Sequence, residues 1–308
     1  MSRSFWIASI AMLGLSGCNP GRTGGPIVAI EGPIEYEVAV AVPYSDIDRR
    51  LGSEGHIRVF DETDTAHPIP HQLDDLDRDG MSDEIFTLVG PTDQSIRLLV
   101  EESATAPEFV KRAQAVLAVR QGGRFENGLY VGGGDYVHVD GIDVPPQQVE
   151  DSDWAMYEGP VWESDLMGWR YYLDARNRTD IFGKKTSDLV LGEFHPDYHM
   201  VSDWGADVLK VGKSLGIGSP AIEADDGPQV IDNTSSKRVD IVANGPLRAI
   251  IRTTYSGWQV GERILDVVSE LENRAGQRWT EQRLTMSGDT SGVHILTGIV
   301  KHAPAPDL

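Results

Sequence analysis

Residues 154–218 (WAMYEGPVWESDLMGWRYYLDARNRTDIFGKKTSDLVLGEFHPDYHMVSDWGADVLKVGKSLGIG) gather the side chains best equipped for chemistry. Four of the seven tryptophans, Trp154, Trp162, Trp169 and Trp204, stand here among histidines, carboxylates, arginines and lysines. A core avoids unpaired charge, whereas a concave site for a flat, hydroxylated, anionic ligand uses this mixture, so a saccharide is the leading ligand class. Within it His199 is the candidate base, because an imidazole changes charge near neutrality, and Tyr198 the acid or second base. The candidate ligand-binding groups are Trp162, Glu163, Arg170, Trp204, Asp207, Lys210, Lys213 and, downstream, Arg248. Indole faces stack on the C–H faces of sugar rings, and the cations neutralise a carboxylate or sulfate, arginine in bidentate fashion. An extended HPDYH would also bring His195, Asp197 and His199 to one face as a metal constellation, Pro196 disfavouring a helix. With no HExxH and no cysteine ligand beside it, proton transfer is the preferred use.

These groups need a scaffold, and the period-two pattern supplies one. Trp169, Tyr171 and Leu173 share one parity and Arg170, Tyr172 and Asp174 the other, which predicts a strand with an aromatic and a polar face. The aromatic face can stack on sugar. The alternative is a strand with one face in the core and Arg170 paired to Glu163 or Asp165. Short strands are expected at 34–42, 56–61, 84–89, 95–100, 115–119 and 128–132, longer ones at 237–243, 247–256, 262–271 and 279–286, and a further strand at 293–300. Only 45–51 and 107–113 read as helical. The fold class expected is all-β, an antiparallel sandwich or supersandwich. A smaller N-terminal β-rich part over 27–145 would precede a site-bearing part over 146–308, with Pro145-Pro146 at the boundary. Two phosphate-loop lookalikes, Gly132-Gly133-Gly134 and VGKSLG at 211–216, lack the GxxxxGK spacing, which excludes a nucleotide partner by that route.

A second constellation lies at Asp74–Glu84 (DDLDRDGMSDE). Asp75, Asp77 and Asp79, then Gly80 and Asp83, follow the first positions of a calcium loop, but Phe86 stands where an EF-hand needs its bidentate glutamate. A hand proper is excluded; a structural calcium turn and a solvated acidic hairpin are both compatible with the residues.

The net charge of −21 excludes general nucleic-acid binding. At the N-terminus, Arg3, an apolar run from Phe5 to Leu15 and Leu15-Ser16-Gly17-Cys18 resemble a bacterial lipoprotein signal with its lipobox. The run is too short to span a bilayer, and Cys18, the one cysteine, has no disulfide partner within the chain. Acylation of Cys18 would anchor residues 19 onward, with 19–26 as a tether; Asn19 favours the outer membrane.

EGPVWESDLMGWRYYLDARNRTDIFGKK, YHMVSDWGADVLKVGKSLGIGSPAI and NGPLRAIIRTTY, in that order, with QLDDLDRDGMSDEIF upstream, resemble the bacterial domain-of-unknown-function 4861 family over roughly residues 30–300. The resemblance implies exported proteins, many of them lipoproteins, associated with breakdown of pectin-like and ulvan-like polysaccharides. It also implies a β-sandwich, a carbohydrate-related role, and late strands beyond Leu308. It carries no catalytic assignment. Together with the chemistry above, it makes an oligosaccharide lyase or dehydratase acting on uronic-acid residues the first expectation. A glycoside hydrolase using a pair such as Glu163 and Asp207, and a non-catalytic glycan-binding lipoprotein, are the others.

Overall fold

The computed structural model describes residues 27–47, 56–224 and 227–301. The lipobox expected at Cys18 lies outside them. The chain is nearly all β, and its sheets are antiparallel throughout. It divides into two compact units at Val110/Lys111, upstream of the Pro145-Pro146 boundary read from the sequence.

In the first unit, a four-stranded sheet runs in the order Ile27–Ile30, Ile96–Ser103, His56–Asp61, Asp64–Ile69. A three-stranded sheet runs Val38–Pro43, Glu84–Val89, His71–Asp74. Alternate residues of both, among them Val28, Val42, Ile57, Val59, Ile85, Leu98 and Val100, close one core between them. The first expected strand begins later than its alternation suggested. Ile34 makes only a bridge to Thr92, and Tyr36 points outward. Residues 45–47 are helical, as expected, and the remainder of that segment lies outside the described residues. The helix expected at 107–113 is absent: residues 106–112 carry no regular structure and lead into the strand Ala113–Val116.

The second unit is a sandwich. One sheet has the order Gly205–Asp207, Thr179–Lys184, Gly168–Tyr171, Val161–Ser164, Ala113–Val116. The other has the order Gly141–Asp143, Ser236–Asn244, Arg248–Val260, Arg263–Arg274, Glu281–Gly288. Ala115, Trp162, Trp169 and Tyr171 from the first share a core with Val239, Ala249, Ile251, Tyr255, Leu265, Val267 and Leu271 from the second. Burial of each such large apolar side chain contributes about 1.5–3 kcal/mol.

The period of two then dictates what the other face of the first sheet carries. Gln114, Glu163, Arg170, Asp180, Phe182 and Lys184 occupy it, with Asp207 opposite Phe182 in register. This face is covered by residues 185–204, the connection between Thr179–Lys184 and Gly205–Asp207. Leu191, Tyr198 and Trp204 from that connection pack on Phe182, Val161, Val116 and Tyr157. The connection returns to the sheet at Gly205, where φ is +141° and a Cβ would overlap the Gly183 carbonyl oxygen. Only glycine allows that approach, and it seats Asp207 beside its neighbours.

Candidate functional site

The expected two-faced strand is present, with its faces assigned the other way from a sugar platform. Trp169, Tyr171 and Leu173 point into the sandwich core, so they are not available for stacking on a ligand. Arg170 points to the covered face. The hairpin sets Arg170 directly opposite Asp180, the closest relation two strand residues can have. Arg170 Nη2 donates to Asp180 Oδ2 at 2.8 Å, to Asp207 Oδ2 at 2.7 Å and to the Tyr172 hydroxyl at 2.7 Å. Its Nη1 donates to the Tyr198 hydroxyl at 3.1 Å and lies 3.6 Å from Glu158 Oε2. The pairing read from the sequence, to Glu163 or Asp165, is corrected: Glu163 pairs with Lys184 and Asp165 with Arg112.

Asp207 joins this buried centre to solvent. Its Oδ2 lies 3.3 Å from Nδ1 of His199, whose side chain is 65% exposed while that of Asp207 is 7% exposed. The His199 ring lies against the Tyr198 ring, centroids 4.1 Å apart. Burial pushes the Asp207 carboxyl above the ordinary aspartate value; Arg170 opposes the rise and Asp180 adds to it. Burial likewise raises the Tyr198 hydroxyl, with Arg170 opposing, so Tyr198 keeps its proton at neutral pH. Burial alone would lower the Arg170 guanidinium, but the surrounding tyrosines and carboxylates outweigh it and hold the charge.

A second cation–carboxylate pair sits further along the same face. Lys184 Nζ meets Glu163 Oε2 at 2.6 Å, and both side chains are fully enclosed. Gln114 Nε2 and the Leu191 amide each donate to Glu163 Oε1, and Lys184 also donates to the Ser164 carbonyl. Every charge here is answered locally. The Leu191 amide ties the covering connection to the sheet, and Tyr157 ties it again: its hydroxyl donates to the Glu193 carbonyl at 2.5 Å and accepts from the His195 amide at 3.0 Å.

Residues 36–308 match the family model described as a domain of unknown function, DUF4861. The chain belongs to the DUF4861 family. No curated protein and no solved structure matches it.

In this DUF4861 chain the candidate residues fall into three groups. Tyr198, His199, Arg170 and Asp207 come together as described, and Trp204 packs on the same covered face, its ring 6.1 Å from that of Phe182 and 4.9 Å from that of His195. Lys210 and Lys213 follow Asp207 in the chain and are exposed. Trp162, Glu163 and Arg248 do not reach the site. Trp162 is buried in the sandwich core, stacked on Trp169 at 6.3 Å, with its Nε1 donating to Thr280 Oγ1. Arg248 is buried, with its guanidinium 3.9 Å from Glu272. The His195–Asp197–His199 metal face is not formed, because residues 196–199 turn rather than extend, with the Tyr198 amide donating to the His195 carbonyl. His195 Nε2 is 3.0 Å from the Val190 carbonyl.

Sequence reading passed over Asp180 and Glu158. Cross-strand register was the signal for Asp180; Glu158 sits in a turn with left-handed backbone at Tyr157 and Glu158, which only the fold shows. In the first unit, ligand oxygens of Asp75, Asp77 and Asp83 lie within 4.8 Å of one another, without Asp79. The turn also caps itself. Asp83 accepts from the Leu76 and Asp77 amides, Asp75 from those of Asp79 and Gly80, and Gly80 takes φ +92°. Among the described residues no helix is long and apolar enough to cross a membrane.

Proposed function

We propose that this chain is a carbohydrate-active enzyme that eliminates across a uronic-acid residue of an oligosaccharide. It acts as a lyase or dehydratase on pectin-like or ulvan-like material, held at the bacterial outer membrane through Cys18. The observation that carries the chemical part is the line Arg170–Asp207–His199 with the Tyr198 hydroxyl alongside. The saccharide class rests on the family resemblance and on the polar, aromatic surroundings.

Asp207 faces Nδ1 of His199, which orients the imidazole and leaves Nε2 as the base. The substrate carboxylate acidifies the neighbouring C5–H. His199 Nε2 takes that proton, the C–H electron pair becomes the C4=C5 double bond, and the C4–O bond breaks. Tyr198 gives its proton to the departing oxygen, which leaves as a sugar hydroxyl in a lyase and as water in a dehydratase. Lys210 and Lys213 are the cations free to meet the substrate carboxylate, since Arg170 is committed to Asp180 and Asp207. Such acid–base groups contribute about 10²–10⁴-fold each, and neutralising the enolate-like charge contributes further.

The test is incubation of the purified protein with ulvan- and pectin-derived oligosaccharides, read by mass spectrometry and ultraviolet absorbance. New absorbance from the double bond is expected, with loss of one water for a dehydratase or chain scission without uptake of water for a lyase. Gain of water would point to hydrolysis, and an unchanged mass with retained binding to a glycan-binding lipoprotein. Turnover that survives His199→Ala would sink the assignment of the base. Hydrolysis by Glu163 and Asp207 finds no support in the geometry, because Glu163 is sealed against Lys184. The anchor is tested separately: Cys18→Ser should release the protein from the membrane fraction.

A further inference from the structure

A cleft of about 520 Å³ opens beside this site, lined by residues that neither the sequence motifs nor the proposed chemistry use. A volume of that order suits a small ligand or one unit of a larger one. Its wall includes Tyr136 and Phe194, whose rings meet edge to face at 5.2 Å, and Phe194 is 40% exposed. The Phe194 ring in turn lies 6.4 Å from the Tyr198 ring, so a row of aromatic rings leads from the cleft to His199.

The charges of the cleft are unevenly used. Asp153 is satisfied on both oxygens, by Arg120 Nη1 at 2.6 Å and by the Tyr136 hydroxyl at 2.7 Å. Arg120 also donates to the Gly134 carbonyl, and His138 Nε2 faces the Gly192 carbonyl at 3.1 Å. Asp135 and Glu193 line the cleft with no side-chain hydrogen bond or ion pair among the described residues. Two uncommitted carboxylates beside an exposed aromatic face accept hydrogen bonds from hydroxyls and repel a carboxylate or sulfate. The one arginine is already neutralised.

We infer that this cleft is a subsite for an uncharged sugar ring adjoining the uronic acid, stacked on Phe194 and held through its hydroxyls by Asp135 and Glu193. The inference rests on the elimination reading for the identity of the neighbouring ring. It implies that the preferred oligosaccharide alternates neutral and acidic sugars and that a uniformly acidic chain is disfavoured.

The probes are a rhamnogalacturonan tetrasaccharide, which alternates rhamnose with galacturonate, and a homogalacturonan tetrasaccharide, which is acidic at every ring. Binding is measured by calorimetry and turnover by mass spectrometry, on the full chain. The wild type is expected to bind the alternating probe about tenfold more tightly, and Phe194→Ala to erase most of that preference by raising Kd and KM about tenfold while kcat stays within about twofold. The exposed double variant Asp135→Asn/Glu193→Gln is expected to narrow the gap from the other side, by strengthening binding of the homogalacturonan probe. Equal affinity for the two probes, binding of neither, or an unchanged preference in both variants would overturn the subsite. If the alternating probe binds through Phe194 without any change of mass, the elimination reading fails and the subsite stands. If a probe is turned over and Phe194→Ala leaves its KM unchanged, the subsite fails and the elimination reading stands.

Discussion

Two buried ion pairs lie on one face of one sheet, under one covering segment, and they differ in a way that separates scaffold from chemistry. At Lys184–Glu163 one cation meets one carboxylate, and the remaining hydrogen-bonding capacity is taken up by Gln114, Leu191 and Ser164. Nothing there faces solvent. At Arg170 one cation meets Asp180 and Asp207, with Glu158 close by, so negative charge exceeds positive. The surplus is directed outward, through Asp207 to the exposed His199. A balanced, enclosed pair holds a loop in place. An unbalanced pair with one partner reaching solvent can orient and polarise a proton-transfer group, which is what perturbed carboxylates near clefts are used for.

Substitutions can break this contrast. Arg170→Met should have the largest effect, because it leaves Asp180 and Asp207 together without their cation. A loss of about 3–5 kcal/mol is expected, with loss of turnover in whatever remains folded, read by denaturant unfolding and specific activity. Lys184→Met should cost stability on a similar scale, again about 3–5 kcal/mol, since Glu163 would be stranded at full burial. Turnover per folded molecule should remain, because Glu163 meets no substrate. If Lys184→Met removed activity from a fully folded protein, the division into scaffold and chemistry would be lost. His199→Ala should show the converse: kcat lower by about 10²–10⁴-fold, with the unfolding midpoint nearly unmoved because the side chain is mostly exposed.

The pH response sharpens the comparison on a smaller scale. Burial lifts the Asp207 carboxyl above its unfolded value of 3.8, so folding takes up a proton between that value and the raised one. This contribution to stability is present at low pH and is lost as pH rises through the raised value. Catalysis runs the other way, because orienting His199 requires the ionised carboxylate. Asp207→Asn should therefore flatten the stability slope on the acid side, just above that unfolded value, measured by denaturation, and should lower turnover at neutral pH, measured by initial rates. A variant that kept the stability slope would place the titrating group elsewhere.

Much of the frame was legible before the fold. The expected strands at 56–61 and 84–89 are those observed, and the four long strands between residues 236 and 288 were anticipated to within a few residues, because alternation and turn residues are local signals. The strand expected at 293–300 is reduced to Ile295–Leu296, with Ile299 in an isolated bridge to Ile217. The short stretch 107–113 (PEFVKRA) misled, since a few residues do not distinguish a helical turn from an irregular lead-in to a strand. The cleft beside Tyr136 and Phe194 was not legible. Its walls come from four separate stretches, at Arg120, 135–138, 153–156 and 192–194, which carry no shared motif.

Taken alone, the sequence determined that this is an all-β chain, that Tyr198 and His199 stand together, and that Trp169 and Arg170 must face opposite ways. Backbone geometry enforces that last point whatever surrounds the strand. Only the tertiary structure decided which side was the core and what lay over the other. It turned Trp162 inward, sealed Glu163 under Lys184, and brought Asp180 and Asp207 to Arg170. The reason is physical: periodicity states which side chains share a face, whereas burial and ion pairing depend on what other parts of the chain lay against that face.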